Sequence, residues 1–363
     1  MDLLAAVRLQ STACEQLGSP MYADLLARVA DDLEAGGPAA SVLIGHTDAP
    51  GPSAVAIRLL GSVHRLVLER RAGALAAFYP SVGGAWSSAA GWTEFRRLLA
   101  EQADAVVEWL DRPPQTNEVG RATGLMAGLL ELDPGSPGRS QRIRLFEIGS
   151  SGGLNLLADH FRYLADDGRS VGPADSPVVL EPAWTGLPAA APVRTPTIVE
   201  RVGSDVMPVD VRTTEGRLTL TAYVWPDQVA RHQRLRGALQ IAAHVPFEVR
   251  RQSAAELVAG IEPADGATTV LWHSVMWQYL GPDEKAAVSA RIADLGEAAT
   301  TAAPFAHLFL EPTRRTPESE HEFLVILESW PGGERRVLGR SRGHGVPTDL
   351  EAPDQDTTTS DTV

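Results

Sequence analysis

A segment near the middle of the chain combines one carboxylate with a run of small residues. The carboxylate is Glu147, and every second position after it holds a small residue: Gly149, Ser151 and Gly153. Apolar residues at 142–148 predict a strand before the segment, and 152–161 predict a helix after it. Small residues let the backbone turn tightly beside a ligand, and a helix N-terminus offers free N–H groups. One interpretation is the G-x-S-x-G nucleophile elbow of a serine hydrolase, with Ser151 as the nucleophile.

The same spacing resembles the first motif of class I S-adenosylmethionine-dependent methyltransferases, with Ser151 in place of its middle glycine. Three later segments are similar to the next motifs of that family, in the same order. The resemblance implies that Asp205 would bind the ribose hydroxyls, and that Gln252 and Ser253 would lie beside the adenine. It also implies that S-adenosylmethionine is the cofactor. The full set of implied cofactor-binding residues is Glu147, Gly149, Ser151, Gly153, Asn155, Asp205, Gln252 and Ser253.

The fourth segment, residues 269–280, resembles the fourth methyltransferase strand and the loop after it, which faces cofactor and substrate in that family. His273 is the candidate general base, because an imidazole pKa near 6.5 suits proton removal at neutral pH. Tyr279 is the second candidate catalytic residue. Trp277 and Gln278 are candidates to shape or orient the substrate, and core packing is the alternative role for them.

Polar residues cluster just before an apolar helix predicted at 117–132. In methyltransferases the helix that leads into the first strand runs past the cofactor. The resemblance therefore makes four of these residues candidates to hydrogen-bond a substrate: Gln115, Asn117, Glu118 and Arg121. The alternative is that they cap the helix, with Thr116 or Asn117 as its N-cap, and line its solvated face.

The elements around these motifs divide the chain into two predicted domains. Residues 1–139 show helical periodicity and no convincing strand, which predicts an all-helical domain on the substrate side. At 140–345 strands alternate with helices, which predicts an α/β domain with a mostly parallel sheet. The methyltransferase resemblance implies that this sheet is Rossmann-like and of the class I methyltransferase type. A hairpin signal at 331–333 predicts that the last strand is antiparallel. The long spacing before Asp205 indicates an insertion at about 162–197, which we expect to form a hairpin or lid.

Composition narrows the classes of function. The chain has 363 residues and a net charge of −14, and a nucleic-acid binder needs a basic excess that is absent here. Residues 346–363 hold five acidic and no basic residues and are predicted to be a disordered tail. Cys14 is the single cysteine, and the nine histidines are scattered, so we expect neither a disulfide nor a metal site. The sequence shows no apolar run long enough to span a membrane and no secretory signal. We therefore expect a cytoplasmic protein without a membrane partner. Its expected substrate is a small molecule.

The whole chain also resembles a known bacterial family. Four segments carry this second resemblance: 115–119, 147–149, 223–228 and 272–279. They are similar to the signatures of the uncharacterised bacterial family called domain of unknown function 2332, over about residues 5–345. That family implies no activity. Three functions therefore stay open: a methyltransferase acting on a small molecule, a serine hydrolase using Ser151, and a non-catalytic binding or regulatory protein on a methyltransferase scaffold.

Overall fold

A computed structural model describes residues 2–47, 54–132, 142–187 and 195–351. The chain packs as two compact units. The first unit comprises Met1–Asn117 and Val209–Leu239, and the second comprises Glu118–Pro208 and Gln240–Val363. These units differ from the predicted division near residue 140. The helix just before the first strand belongs to the α/β unit, and the segment 209–239 belongs to the helical unit.

The described part of the first unit is helical, as its periodicity predicts. Its α-helices are α1 (Leu3–Gln16), α2 (Pro20–Glu34), α3 (Pro38–Leu43), α4 (Val55–Leu68), α5 (Ser88–Glu101), α6 (Ala103–Leu110), α8 (Thr214–Ala222) and most of α9 (Val229–Ala242). The apolar faces of α1 to α6 share one buried core, which also includes Trp225 from the segment between α8 and α9. Asp227, between α8 and α9, accepts hydrogen bonds from Ser19 Oγ at 2.6 Å and from Met21 N at 3.0 Å. At the N-terminus of α2 this carboxylate pairs with a free backbone N–H group and interacts favourably with the helix dipole. These contacts hold segment 209–239 to this unit.

The second unit is built on one sheet. Its strands are β1 (Arg142–Ile148), β2 (Arg162–Ala165), β3 (Ser170–Val171), β4 (Val179–Thr185), β5 (Thr197–Asp205), β6 (Glu248–Arg251), β7 (Thr268–Ser274), β8 (Phe305–Thr313), β9 (Glu322–Trp330), β10 (Glu334–Arg340) and β11 (Thr348–Leu350). The spatial order is β3-β2-β4-β11-β10-β9-β8-β7-β1-β5-β6. Neighbours from β6 to β8 are parallel, and β8–β9 and β9–β10 are antiparallel. The predicted Rossmann-like, mostly parallel sheet and its final hairpin are confirmed.

Helices cover both faces of the parallel strands. On one face, α10 (Ala254–Ala259) and α11 (Pro282–Ala298) pack on a cluster that includes Phe146, Leu271 and Phe305. Side chains alternate along a strand, so Trp272 and Leu308 point to the other face. There α7 (Ala122–Glu131) approaches so closely that a β-carbon at Gly128 would lie 2.3 Å from Leu308 Cδ2. The small residues of α7 make this close packing possible.

The helix predicted at 152–161 is shorter and of another type. Leu154–His160 forms a 3-10 helix, with non-helical backbone angles at Leu157. The reason is that the chain must begin β2 at Arg162, directly after this helix. The connection after β1 thus contains a short 3-10 helix in place of the predicted helix.

The insertion and the tail both add strands to the sheet. Within the insertion, β2 and β3 form an antiparallel hairpin, and β4 pairs with β2. The prediction of a disordered tail from residue 346 is wrong for Thr348–Leu350, because β11 pairs with β4 on one side and β10 on the other. Residues 352–363 lie outside the described residues. Among the described helices, none is both long enough and apolar enough to cross a membrane.

Candidate functional site

The carboxyl ends of four parallel strands meet at one edge of the sheet. The chain leaves β1 for β5 and β6 on one side and later returns to β7 and β8 on the other. Such a reversal of strand order opens a crevice at the carboxyl ends, where open α/β sheets bind ligands. The motif residues after β1, β5, β6 and β7 stand at these strand ends.

The loop after β1 is held to the end of β5 by the Asp205 carboxylate. Ser151 N donates to Asp205 Oδ2 at 3.0 Å, and Met207 N donates to Oδ1 at 2.8 Å. Ser151 has φ of 54°, in the left-handed region that non-glycine residues seldom adopt. Each carboxylate oxygen retains a second lone pair. Asp205, half-buried, can therefore still accept hydrogen bonds from a ligand.

Two glycines of this loop pack against protein side chains. A β-carbon at Gly149 would lie 2.9 Å from Met276 Cβ, and one at Gly153 would lie 2.6 Å from Val249 Cγ2. Both glycines also have positive φ, of 65° and 71°. Their lack of a side chain thus serves the tight turn and its packing on the neighbouring strand ends. Where a β-carbon would stand at each of these glycines, the near neighbour is therefore a protein side chain.

Glu147 is the next-to-last residue of β1, and its carboxyl group is buried. It pairs in the sheet with Trp272 of β7. Burial raises its pKa to about 8, and the Asn155 and Trp272 side chains and the Arg121 charge oppose part of that rise. Within the described residues, Glu147 Oε2, Asn155 Oδ1 and Trp272 Nε1 are buried and make no hydrogen bond of normal geometry. Buried polar atoms left unpaired are rare, and such a group indicates a place for a bound ligand or water.

The end of β6 supplies one free acceptor and one helix cap. Gln252 N donates to Asp205 O at 3.2 Å, which places residue 252 beside the ribose candidate. Gln252 Oε1 is buried and makes no hydrogen bond with the described part of the chain. Ser253 is instead the N-cap of α10. Its hydroxyl accepts from Glu256 N at 3.2 Å, and its N–H donates to Glu256 Oε2 at 2.8 Å.

The residues predicted to line a substrate before α7 are divided between the units. Gln115 and Asn117 belong to the first unit, and Glu118 and Arg121 to the second. The predicted helix start at 117 is wrong: Glu118 is the N-cap of a 3-10 turn, and its Oε1 accepts from Gly120 N at 3.0 Å. Arg121 Nη1 donates to Ser274 O at 3.2 Å, and its Nε to Gly343 O at 3.0 Å. The Glu118 side chain thus braces its own 3-10 turn, and the Arg121 side chain braces backbone at the end of β7.

A cavity of about 740 Å³ lies between α11 and strands β7 to β9. His273, Trp277 and Gln278 line it, together with two residues from β8, His307 and Glu311. The structure thus brings one catalytic candidate and two substrate candidates to the same cavity. Tyr279 is not among its lining residues, and its side chain is 48% exposed.

The cavity holds a hydrogen-bonded chain of two histidines and two glutamates. His273 Nδ1 lies 2.8 Å from Glu311 Oε1, and His273 Nε2 lies 3.1 Å from His307 Nε2. His307 Nδ1 in turn lies 2.9 Å from Glu328 Oε2. Burial lowers the pKa of His307, and its bond to Glu328 opposes that change. Within the described residues, no group of three or more His, Cys, Asp or Glu side chains is arranged to hold a metal ion.

Glu311 connects this cavity to the crevice. Its Oε1 also accepts from Met276 N at 3.0 Å and from Trp277 N at 3.2 Å, and Oε2 is buried without a hydrogen bond in the described chain. Met276 is the side chain that covers Gly149. One residue thus separates the loop after β1 from the histidine pair. Val275, next to it, has φ of 51°, a strained value for a β-branched residue and typical of functional sites.

Three residues of this hydrogen-bonded series were not predicted from the sequence: His307, Glu311 and Glu328. A signal for two of them exists. His307 and Glu311 interrupt the apolar strand 305–311 at positions of one face, and polar residues within an otherwise buried strand mark a paired or functional group. Glu328 lies directly opposite His307 in the β8–β9 register, which only the strand pairing reveals.

The fold defines an α/β protein with a Rossmann-like sheet whose strand order reverses at a topological switch point beside β1. Residues 5–349 match the model of a bacterial family described as "Uncharacterized protein conserved in bacteria (DUF2332)", and the chain belongs to that family. The predicted family is thus confirmed, and its description assigns no activity. No curated protein and no solved structure matches the chain.

Proposed function

We propose that this protein is a methyltransferase that uses S-adenosylmethionine to methylate a small molecule. The observation that carries the proposal is a set of buried oxygens at the switch point that have no hydrogen-bond partner among the described residues: Glu147 Oε2, Asn155 Oδ1 and Gln252 Oε1. They follow or adjoin β1 and β6, with the Asp205 carboxylate between them at the end of β5. A nucleoside with a charged amino-acid tail offers donors for such a row of acceptors.

The residues fit this cofactor at most of its parts. Glu147 and the loop 149–153 would hold the methionine end, Asp205 the two ribose hydroxyls, and Gln252 the adenine amine. Ser253 does not fit as a side-chain ligand, because its hydroxyl caps α10. When bound, the cofactor supplies a methyl group on a positively charged sulfur. The protein's task is then to align an acceptor atom with that methyl group, and alignment alone can supply much of the rate.

The serine hydrolase finds less support in this geometry. A catalytic serine needs a histidine nitrogen free to take its proton. Both ring nitrogens of His273 are engaged, one by Glu311 and the other by His307. The Ser151 backbone, moreover, serves to hold Asp205. A fluorophosphonate probe that labels Ser151 would reverse this preference.

Calorimetric titration of the full chain with S-adenosylmethionine and S-adenosylhomocysteine tests the proposal. We expect both ligands to bind, and Asp205→Asn to weaken binding about tenfold, the cost of losing charge-assisted hydrogen bonds. Gln252→Leu removes an acceptor without touching the loop after β1 and should also weaken binding. The matched control is Asp265→Asn, at an exposed site by the amino end of β7. Absence of heat at millimolar ligand would refute the proposal. Binding without turnover of any acceptor would favour a non-catalytic binding protein.

A further inference from the structure

The sheet side of the cavity uses its polar groups on itself. The Nε2 atoms of His273 and His307 are hydrogen-bonded to each other, and each Nδ1 is bonded to a glutamate. Glu311 also accepts two backbone N–H groups, and Glu328 Oε1 lies 3.2 Å from Arg335 Nε. Both histidines are thus fully engaged, and both carboxylates have donors. A charged ligand in the cavity must therefore bind another group of the wall.

Lys285 is the charged residue of this wall that has no partner among the described residues. It lies near the start of α11, is half-buried, and is the single lysine of the chain. Its ammonium group makes no hydrogen bond or ion pair with the described part of the chain. The adjacent Glu284 accepts from Ala254 N at 2.9 Å and is thereby held toward α10. An ammonium has three donors and no acceptor, so the matching ligand group is an acceptor with negative charge.

The cavity has a charged end and an aromatic end. Trp330 packs near the C-terminus of α11, where a β-carbon at Gly296 would lie 2.6 Å from Trp330 Cε2. Lys285 and Gly296 are about 16 Å apart along the helix. Between these ends, Ile292 lines the helix side and Phe309 the sheet side. Such walls favour a planar apolar ligand, and about 740 Å³ is a usual size for a small-molecule pocket.

We propose that this cavity binds an aromatic carboxylate, with the acid group paired to Lys285 and the ring extending toward Trp330. The acid supplies the negative charge that the half-buried ammonium lacks, and the ring replaces water along the apolar walls. Glu311 Oε2 makes no hydrogen bond among the described residues, and it can accept one from a ring substituent or a water. The proposal concerns binding alone and does not rest on the methyl donor.

Calorimetric titration of the full chain with 2-naphthoate and its neutral amide, 2-naphthamide, separates the charge from the ring. We expect wild type to bind the acid about tenfold more tightly than the amide, the effect of one charge-assisted hydrogen bond. Lys285→Met should make the two affinities equal, and Lys285→Arg should retain the preference. Arg142→Met, which removes an exposed cation at the start of β1, is the matched control and should behave as wild type. No binding of the acid at millimolar concentration, equal affinities in wild type, or a preference that survives Lys285→Met would overturn the proposal.

A bulky side chain inside the cavity tests where the ring is bound. Ser289 lines the cavity from an exposed position of α11, one turn after Lys285. Ser289→Trp should fill part of the cavity and weaken the binding of both compounds about tenfold or more, although the ammonium is retained. Ser289→Ala, which adds no bulk, should bind as wild type. Unchanged affinities in Ser289→Trp would place the ring outside the cavity and overturn the proposal.

The single lysine also gives a direct readout of the site. An acetylating N-hydroxysuccinimide ester reacts with amines, and Lys285 offers the one amino side chain of the protein. Saturating 2-naphthoate should slow acetylation of Lys285 several-fold, as peptide mass spectrometry will show, and should not slow acetylation of the α-amino group. Equal rates with and without 2-naphthoate would show binding of an adventitious additive only and overturn the proposal. None of these measurements uses a methyl donor, so their failure leaves the methyltransferase proposal to its own titration.

Discussion

Replacing Glu147 with glutamine should make the folded protein more stable at alkaline pH. Burial raises the pKa of this carboxyl from 4.5 to about 8. Between those values the folded protein keeps the proton that the unfolded chain has lost, so the folded state binds one proton more. Stability therefore falls as pH rises through this window. At about 1.4 kcal/mol for each pH unit, the loss amounts to at most about 5 kcal/mol.

Urea unfolding of wild type and Glu147→Gln measures this difference. At about pH 5 both side chains are uncharged, and we expect similar stability. At about pH 9 only the wild type carries a buried charge, so the variant should be the more stable by several kcal/mol. Glu297→Gln, an exposed site on α11, is the control and should leave the pH profile unchanged. Parallel pH profiles for wild type and Glu147→Gln, or no protonated-carboxyl infrared band at pH 7 assignable to Glu147, would refute the reasoning.

Three further outcomes follow from the same site. At neutral pH, a positively charged methyl donor beside Glu147 should favour its ionised form. Calorimetry in buffers of different ionisation heat should then show proton release from wild type and none from Glu147→Gln. Ser253→Ala should lower stability by about 1 kcal/mol, because it removes the cap of α10, and Ser253→Asp should retain it, as urea midpoints will show. Gly153→Ala should cost about 2 kcal/mol by the same measurement, because its β-carbon would strike Val249 and its φ is positive.

The parallel core of the sheet could be predicted because its information is local. The strands β1, β7 and β8 are largely apolar runs, and the chain turns directly after each parallel strand, so the residues that follow stand at its carboxyl end. The contact between Ser151 and Asp205 is a direct consequence, since β1 and β5 are parallel neighbours and end together.

The remaining features depend on contacts between distant segments. The strand β11 pairs with β4 through Thr348 and Asp349, and so short a match leaves no periodic pattern in an acidic tail. The placement of 209–239 in the helical unit depends on Asp227 reaching Ser19, about two hundred residues earlier. Ser253 looked like an adenine ligand because a capping serine and a ligand serine occupy the same place after a strand.

The cavity owes its existence to the change of strand direction after β8. A parallel connection needs a crossover helix, which covers the next part of the sheet face, whereas β8 returns antiparallel as β9 and needs none. The face of β8 and β9 beyond α11 is therefore left open, and His307 and Glu328 point into that opening. A buried pair of histidines is costly in a closed core. Here each imidazole has a carboxylate partner and the two rings are bonded to each other, so the pair can be kept without loss of the fold.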